Sequence, residues 1–147
     1  MKRQAIPFET TLHVRDNCMC LHAQRAARAL ARRYDEALRP VGLTNGQFSL
    51  LMSLNRPEPA RMGAVATLLA MDHTTLTANL KPLERRRLVS IIIDPQDRRG
   101  RLLALTKDGI AVLMKALPIW EQEQQAVEGL LAGSAPDTVR ADLRALS

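Results

Sequence analysis

Hydroxyl-bearing and basic side chains recur about one helical turn apart between residues 74 and 85, a pattern typical of a surface that binds nucleic acid. The cations suit phosphate groups, the hydroxyls suit phosphates or base edges, and a small residue among them lets the backbone come close. A threonine in a helix has an alternative role, because its hydroxyl can bond back to a carbonyl one turn earlier. We predict DNA contacts here and leave that alternative open. The face consists of Thr74, Thr77, Ala78, Lys81 and Arg85, and Thr75 is included among the predicted DNA contacts.

A second group of cations, Arg98 and Arg99, lies at the tip of a charged turn that covers residues 94–100. The turn separates residues 89–93 from residues 101–105, two runs whose aliphatic side chains predict a pair of strands. Such a hairpin is too small to be stable alone, so it must pack on helices and project its tip. Guanidinium groups at a projecting tip suit phosphates or a narrow minor groove, where the negative potential is enhanced.

Two short helices must position these groups ahead of the hairpin. Residues 62–69 carry apolar side chains at positions i, i+3, i+4 and i+7, which places them on one stripe. After a turn at Ala70 and Met71, Asp72 can cap a second helix, because its carboxylate accepts unpaired N–H groups of the first turn. Residues 62–106 therefore predict a winged helix-turn-helix. Its buried sides are Met62, Val65, Ala66 and Leu69 in the first helix and Leu76, Leu80 and Leu83 in the second.

The wing region resembles a known family of regulators. Residues 97–106, Asp-Arg-Arg-Gly-Arg-Leu-Leu-Ala-Leu-Thr, match the Asp-x-Arg wing signature, ending in Leu-Thr, of the MarR family of bacterial transcription regulators. Residues 75–77 and 83–89 are similar to that family's recognition helix and its exit into the wing. The resemblance covers nearly the whole chain. It implies a mainly α fold with a small β-hairpin, in which a winged helix-turn-helix DNA-binding domain joins a helical dimerisation domain. It also implies that Arg99 enters the minor groove and that Asp97 orients it.

Two residues, Arg87 and Ala78, depart from that pattern, and Pro82 affects the shape of the recognition helix. The family often has glycine at the position of Arg87, so the exit from the recognition helix is expected to be strained or differently shaped. It often has arginine at the position of Ala78, so one expected DNA contact lacks its side chain. Pro82 removes a backbone hydrogen bond inside the recognition helix and predicts a bend. The alternative is a helix that ends near Lys81, with another one following.

Composition narrows the class of protein. The chain has 147 residues, a formal net charge of +6 and a pI near 10.1, which favour one ordinary domain and an anionic partner, although other basic proteins share this charge. Aromatic residues make up 3%, too few for a single-strand binder that stacks bases along a groove. We expect a soluble cytoplasmic protein, because the sequence shows neither a secretory signal nor an apolar run of membrane-spanning length.

Nothing in the sequence favours an enzyme. It contains no glycine-rich phosphate loop, no His-Glu-x-x-His motif and no nucleophile elbow. Its histidines and acidic residues do not cluster along the chain, and only their convergence in space would make an active site. We predict no catalytic residue and no cofactor.

Amphipathic helices flank the winged region. Residues 20–41 carry an apolar residue at every third or fourth position, and Pro40 and Gly42 end that helix. Residues 44–47 match a capping box, which starts a helix that runs toward Asn55. These helices are expected to support the helix-turn-helix from behind.

The C-terminal region carries a heptad seam. Residues 110–131 place apolar side chains and one glutamine at alternating steps of three and four, after an expected cap at Thr106 and with a bend at Pro118. A helix of this length has more apolar surface than a small winged domain covers, so a partner chain is its natural neighbour. Gly133 is expected to end it, and residues 134–137, from Ser134 to Asp137, resemble a capping box for a last helix.

We therefore expect one intertwined unit with three parts. Residues 1–42 form an N-terminal arm and dimerisation helix, residues 43–106 the winged helix-turn-helix, and residues 107–147 the C-terminal dimerisation helices. In the MarR family the first helix and the last two make the dimerisation domain, so the resemblance implies a homodimer. Residues 1–17 are expected to be an ordered arm only where they pack on a partner subunit.

Members of the family commonly respond to small phenolic or other amphipathic ligands, bound between the dimerisation helices and the winged domain. The resemblance implies a similar crevice here, with Arg25 available to an anion. Each lining residue could equally belong to the core or to an interface. The candidate effector-binding residues are Leu21, His22, Arg25, Phe48, Met52 and Trp120.

Two cysteines, Cys18 and Cys20, offer an oxidant response as an alternative to a ligand. Residues two apart on a helix point to different sides, so the pair is not expected to form a bridge. Cys18 and His22 can share one helical face, which would place a base beside a thiol or supply two metal ligands. His13 and His73 add no further ligand, so no metal is predicted. The alternative for both cysteines is packing as small hydrophobes at a dimer interface.

These features predict a ligand-responsive or oxidant-responsive repressor that binds a near-palindromic operator as a homodimer. Its partners would be double-stranded DNA, a second copy of the chain and a small aromatic or amphipathic effector. Two alternatives stay open, namely a DNA-binding module without ligand control, constitutive or architectural, and a small enzyme.

Overall fold

Seven α-helices and three short strands make up residues 5–147, the part of the chain that the computed structural model describes. Within that range no helix combines the length and the apolar character needed to cross a membrane. The helices are α1 (Phe8–Asn17), α2 (Met19–Leu38), α3 (Asn45–Ser53), α4 (Met62–Leu68), α5 (His73–Arg85), α6 (Lys107–Glu128) and α7 (Pro136–Ala145), and a 3-10 turn covers Arg39–Val41. The strands are β1 (Ala60–Arg61), β2 (Val89–Ile93) and β3 (Arg101–Leu105).

The wing is a three-stranded antiparallel sheet in the order β1-β3-β2. The predicted hairpin of β2 and β3 is confirmed, with Val89 opposite Leu105. Strand β1, which pairs Arg61 with Leu102, was not predicted, because two residues are too few to show the alternation that reveals a strand. Since α4 follows β1 directly, the third strand ties the wing to the first helix of the helix-turn-helix.

One apolar core supports the helix-turn-helix. Leu76, Leu80 and Leu83, the predicted buried side of α5, are each at most 1% exposed. They belong to the same cluster as Leu51 on α3 and Leu103 on β3, which are fully buried. Burial of one leucine side chain stabilises a fold by roughly 2 kcal/mol, so these positions fix the rotation of α5 about its axis. The opposite face of α5 is exposed to solvent.

Three helix caps that the sequence predicts are confirmed. Thr44 Oγ1 accepts from Gln47 N–H at 3.2 Å and the Gln47 side chain accepts from Thr44 N–H at 3.1 Å, which completes the capping box of α3. Asp72 caps α5 and Thr106 caps α6. Each cap stabilises its helix by about 1 kcal/mol. The helix ends lie two or three residues earlier than predicted, because α3 stops at Ser53 and α2 gives way to the 3-10 turn.

Helices α2 and α6 pack against each other in opposite directions. Tyr34 Oη donates to Gln124 Oε1 at 2.5 Å, and one turn away on each helix Leu38 and Trp120 line a common cavity. The N-terminal half of α2 therefore extends past the last turn of α6, by roughly 15 Å at 1.5 Å per residue. This half of α2, the helix before it and the residues that lead into that helix leave large apolar side chains exposed. They include Ile6, Phe8, Val14 and Met19.

Helix α6 is shorter than its apolar repeat predicts. It ends at Glu128 with Gly129 as its cap, so Leu131 lies outside the helix and the seam stops one step earlier. Gly133, with φ of +105°, belongs to the following loop and does not end the helix. The apolar heptad pattern thus extends past Gly129, although the helix ends there.

The predicted capping box of the last helix is wrong. Ala135 is the N-cap of α7 and makes no side-chain bond, so Ser134 does not form a capping box. Pro136 begins the helix instead, since its fixed φ suits the first turn and its missing N–H would be unpaired there.

The N-terminal segment is more regular than an arm. Residues 8–17 form α1, which a turn at Cys18 separates from α2. Residues 1–4 of the predicted arm lie outside the described residues. Apolar residues on α1 are exposed within one chain, as a segment that packs on a partner would require.

Candidate DNA-binding surface

Helix α5 presents its polar face to solvent, as its buried leucines require. Five residues of its first three turns are exposed and line one shallow groove. Arg85 is exposed one turn further along. The structure thus brings the predicted recognition residues together on one surface that carries cations and hydroxyls. The groove is lined by His73, Thr74, Thr77, Ala78 and Lys81.

The threonines of this face use their hydroxyls differently. Thr77 Oγ1 donates to the carbonyl of His73 at 2.8 Å, the back-bonded arrangement. Thr75 completes the Asp72 cap, because its N–H and its hydroxyl donate to the two carboxylate oxygens of Asp72 at 2.7 and 3.0 Å. These bonds hold the pKa of the Asp72 carboxyl below its ordinary value. Thr74 therefore has the hydroxyl most available to DNA, while Thr75 and Thr77 keep acceptor lone pairs.

The recognition helix continues across Pro82 and ends in a left-handed turn made without glycine. Arg87 has φ of +59°, its N–H donates to Glu84 O, and Leu88 N–H donates to Leu83 O at 2.9 Å. This pair of bonds defines a Schellman motif, which places a left-handed residue at position 87. A side chain in that conformation costs roughly 1–2 kcal/mol, so the exit is strained as the arginine predicts.

The wing turn is closed by main-chain bonds and projects two arginines. Asp94 N–H donates to Gly100 O at 3.1 Å, and Gly100 N–H donates to Asp97 O at 2.8 Å. Asp97 Oδ1 accepts from the main-chain N–H of Arg99 at 3.1 Å. The Asp97 carboxylate thus shapes the turn through the backbone of Arg99. Arg98 and Arg99 are both exposed at the tip.

Two residues at the base of the wing, Asp94 and Arg61, were not predicted from the sequence. Asp94 is 4% exposed and is the one buried polar or charged residue within the described part of the chain. Its Oδ1 accepts from Gln96 N–H at 2.9 Å, and its Oδ2 lies 3.7 Å from Arg61 Nε. An aspartate that opens a turn commonly bonds the backbone two residues on, so part of this role was visible. Arg61 gave no signal because β1 was not predicted.

The recognition helix, the wing and α6 meet at Thr106. Its Oγ1 donates to Arg87 O at 2.6 Å and accepts from Gly109 N–H at 3.0 Å, while its N–H donates to Leu88 O at 3.1 Å. A Cβ added at Gly109 would overlap the carbonyl oxygen of Leu88. The backbone of α6 therefore packs directly against the exit of α5.

Three of the six candidate effector residues line one cavity. Phe48 and Trp120 stack with ring centroids 6.1 Å apart and ring planes inclined by 19°. With Met52 they border a cavity of about 420 Å³ between α3, α4 and α6. An apolar lining with a few hydroxyls suits an aromatic or aliphatic molecule. The other lining residues, which the sequence did not reveal, are Ser49, Ser53, Leu68, Leu69 and Leu117.

The structure does not bring the other three candidates to this cavity. Leu21, His22 and Arg25 lie on the half of α2 that extends beyond α6, whereas the cavity lies near the opposite end of α2. Arg25 therefore supplies no cation to the cavity within one chain. The antiparallel packing of α2 on α6, which sequence periodicity does not reveal, is the reason for this separation.

Cys18 lies at the N-cap of α2. Its Sγ accepts from Leu21 N–H at 3.5 Å, and His22 Nδ1 donates to the main-chain oxygen of Cys18 at 2.8 Å. The imidazole thus bonds to the main chain of Cys18. Cys20 is exposed, and both thiols are free.

Comparison with known proteins agrees with this geometry. A family model described as MarR family matches residues 41–100, from the 3-10 turn to the end of the wing turn. The organic hydroperoxide resistance transcriptional regulator of Bacillus subtilis (strain 168) is 28% identical over 104 residues, which are 71% of this chain and 71% of that protein.

Solved structures extend the similarity to the flanking helices. The M. tuberculosis transcriptional regulator MosR, in complex with DNA, is 38% identical with a TM-score of 0.81, over 88% of this chain and 93% of that one. Bordetella bronchiseptica BpsR, from a structure concerning regulation of its DNA binding by 6-hydroxynicotinic acid, is 26% identical with a TM-score of 0.78, over 88% and 93% of the two chains. The likeness therefore covers the winged region and most of the helices around it.

Proposed function

Because this chain belongs to the MarR family of transcriptional regulators, and not to a family of enzymes, we propose that it is a repressor that binds a near-palindromic operator as a homodimer in the cytoplasm. The observation that carries the proposal is the exposed face of α5 beside the projecting wing. A helix with cations and hydroxyls on its free face fits the major groove, and an arginine at a wing tip fits the adjacent minor groove.

Each side chain of this surface has a role in the proposal. Lys81 and Arg85 contact phosphates or base edges, and Thr74 donates its hydroxyl, with Thr75 and Thr77 as acceptors. Arg99 enters the minor groove, and Asp97 holds it in place through its backbone. Arg98 binds a flanking phosphate.

The dimer supplies the symmetry of the operator. Residues 1–42 and 107–147 form the dimerisation part, and residues 43–106 form the DNA-binding part. Exposed apolar side chains on α1 and the free half of α2, together with Leu143 and Leu146 at the C-terminal end, support a second copy as their partner. Two recognition helices related by a two-fold axis would enter successive major grooves about 10 base pairs apart.

We further propose that an effector in the Phe48–Trp120 cavity lowers the affinity for DNA. The cavity lies between helices of the winged region and α6, so an occupant that changes their angle changes the separation of the two recognition helices. Only a difference in effector affinity between the free and DNA-bound forms drives release. The control of BpsR by 6-hydroxynicotinic acid supports a response of this kind.

An oxidant response is the second candidate. Cys18 joins α1 to α2 and Cys20 is exposed, and the B. subtilis relative is named for organic hydroperoxide resistance. Oxidation of Cys18 to a sulfenic acid would change the cap at the start of α2 and with it the surface offered to a partner.

The test is to select genomic fragments with the purified protein, footprint the bound site, and repeat the binding with neutral aromatic compounds, aromatic acids and a mild oxidant. We expect a protected near-palindrome with half-sites one helical turn apart, and release by one of these agents. Uniform binding without sequence preference would indicate an architectural protein, and specific binding that no agent releases would indicate a constitutive regulator.

A further inference from the structure

Arg61 is anchored at one end and free at the other. Its Nε lies 3.7 Å from Asp94 Oδ2, while 67% of its side chain is exposed. The Asp94 side chain is 6% exposed, so its carboxylate faces little solvent. Arg61 thus contacts Asp94 through Nε and leaves most of its side chain open to a ligand.

The position of Arg61 in the sheet places it close to the wing turn. It lies opposite Leu102 on β3, two residues from Gly100, where the turn ends. With strands about 4.8 Å apart and about 3.4 Å per residue, its backbone is within roughly 10 Å of the turn. Arg61 therefore flanks the base of the element that carries Arg99 at its tip.

We propose that Arg61 is a further DNA-contacting residue, which binds a phosphate beside the minor groove that the wing enters, and that Asp94 is the residue that positions it. The inference rests on the proposed DNA-binding function. The minor groove is about 6 Å wide, so phosphates line both sides of a wing inserted in it, and a cation at the wing base lies against them. Asp94 keeps the guanidinium pointing outward and, through Gln96, keeps the turn closed.

The direction in which DNA affinity changes when the Asp94 charge is removed distinguishes a positioning role from a purely electrostatic one. Removal of a negative charge near DNA should strengthen binding if only net charge matters. If Asp94 positions Arg61, its removal weakens binding, because the guanidinium loses its orientation. Asparagine keeps the oxygen that accepts from Gln96 N–H and removes only the charge, so it isolates this effect.

The experiment measures operator affinity at salt concentrations between about 50 and 200 mM for Arg61→Met, Asp94→Asn and the double variant. We expect Arg61→Met to lose about tenfold in affinity and to reduce the slope of log K against log salt by about 1.8, since the dimer loses two phosphate contacts and each contributes about 0.9. Asp94→Asn should weaken binding in the parent and change nothing further in Arg61→Met. Arg61→Lys, which keeps the charge, should keep the slope. Lys115→Met, at an exposed position off the apolar seam of α6, is the control for net charge.

A parent-like slope for Arg61→Met would overturn the phosphate contact. Parent-like or tighter binding by Asp94→Asn, or failure of that variant to fold in a thermal unfolding assay, would overturn the positioning role in favour of a neutral or structural one. If the parent protein selects no operator, the proposed function fails instead, which the parent measurement alone reveals.

Discussion

Arg99 is the side chain on which the proposed wing contact depends most directly. Arg99→Ala removes the exposed guanidinium and leaves the turn closed by its main-chain bonds. We expect operator binding to weaken by about 1–3 kcal/mol, or roughly fivefold to 150-fold. Titration of the footprinted operator measures this, with Lys115→Ala, at an exposed position off the apolar seam of α6, as the control. Equal affinities for Arg99→Ala and the parent would show that the wing does not read DNA.

Ala70 and Arg87 carry strain that glycine would relieve. Their φ values are +51° and +59°, in a region that costs a side chain roughly 1–2 kcal/mol. We expect Ala70→Gly and Arg87→Gly each to raise the free energy of unfolding by roughly 0.5–1 kcal/mol, after the extra entropy of glycine in the unfolded chain.

Urea unfolding measures these changes, and Gly42→Ala is the matched reverse. Gly42 has φ of +71°, and a Cβ added there would lie 3.3 Å from Arg86 Nη2. That variant should be less stable than the parent. Glycine variants no more stable than the parent would mean that the left-handed turns are not strained.

The role of a single residue could be predicted from the sequence where its side chain bonds to residues close to it along the chain. Asp72, Thr44 and Thr106 were recognisable as caps because each bonds a backbone group three residues on. Asp94 and Arg61 meet across 33 residues of chain and through a strand of two residues, and neither periodicity nor turn chemistry reveals such a pair.

At the scale of the elements, the contact between α6 and the exit of α5 leaves no space for an added side-chain atom. In Gly109→Ala the new Cβ would overlap the carbonyl oxygen of Leu88, and it would lie 3.3 Å from Leu105 Cδ2. We expect the variant to lose more than about 2 kcal/mol of stability, or to bind operator more weakly because α6 is displaced from α5.

Thermal unfolding and operator titration are measured together for this variant. Gly129→Ala, at the other end of α6, is the control, because its new Cβ would have no neighbour nearer than 3.4 Å. It should match or exceed the parent in stability. A Gly109→Ala protein with parent stability and parent affinity would show that the two helices are not in firm contact.

Helices were predictable as elements because their apolar periodicity spans many residues. Their ends were less so: α6 stops at Gly129 while its apolar pattern continues to Leu131, and α7 begins at Pro136 without the expected serine cap. Strand β1 exists only because β3 lies beside it, and such a strand is a product of packing. The cavity at Trp120 also depends on packing, since it needs three helices to meet.

For the whole molecule, a rigid two-fold dimer should bind only half-sites at one spacing. Insertion of 5 base pairs at the operator centre turns the two half-sites to opposite faces of the duplex. We expect affinity to fall by about 10²–10⁴-fold, toward that of a single half-site, because the second recognition helix no longer engages. A central substitution of equal length is the control and should bind normally. Full affinity after insertion would indicate that each chain binds DNA independently.

The stack of Phe48 on Trp120 also gives the protein an optical reporter. The chain contains one tryptophan and one tyrosine, and both Trp120 and Tyr34 border the small cavity on the α2 side of that stack. Indole emission from the unlabelled protein therefore originates at a single site, where the winged region meets α6. A change in its wavelength or intensity when a compound is added would report on that junction alone, without background from any other tryptophan.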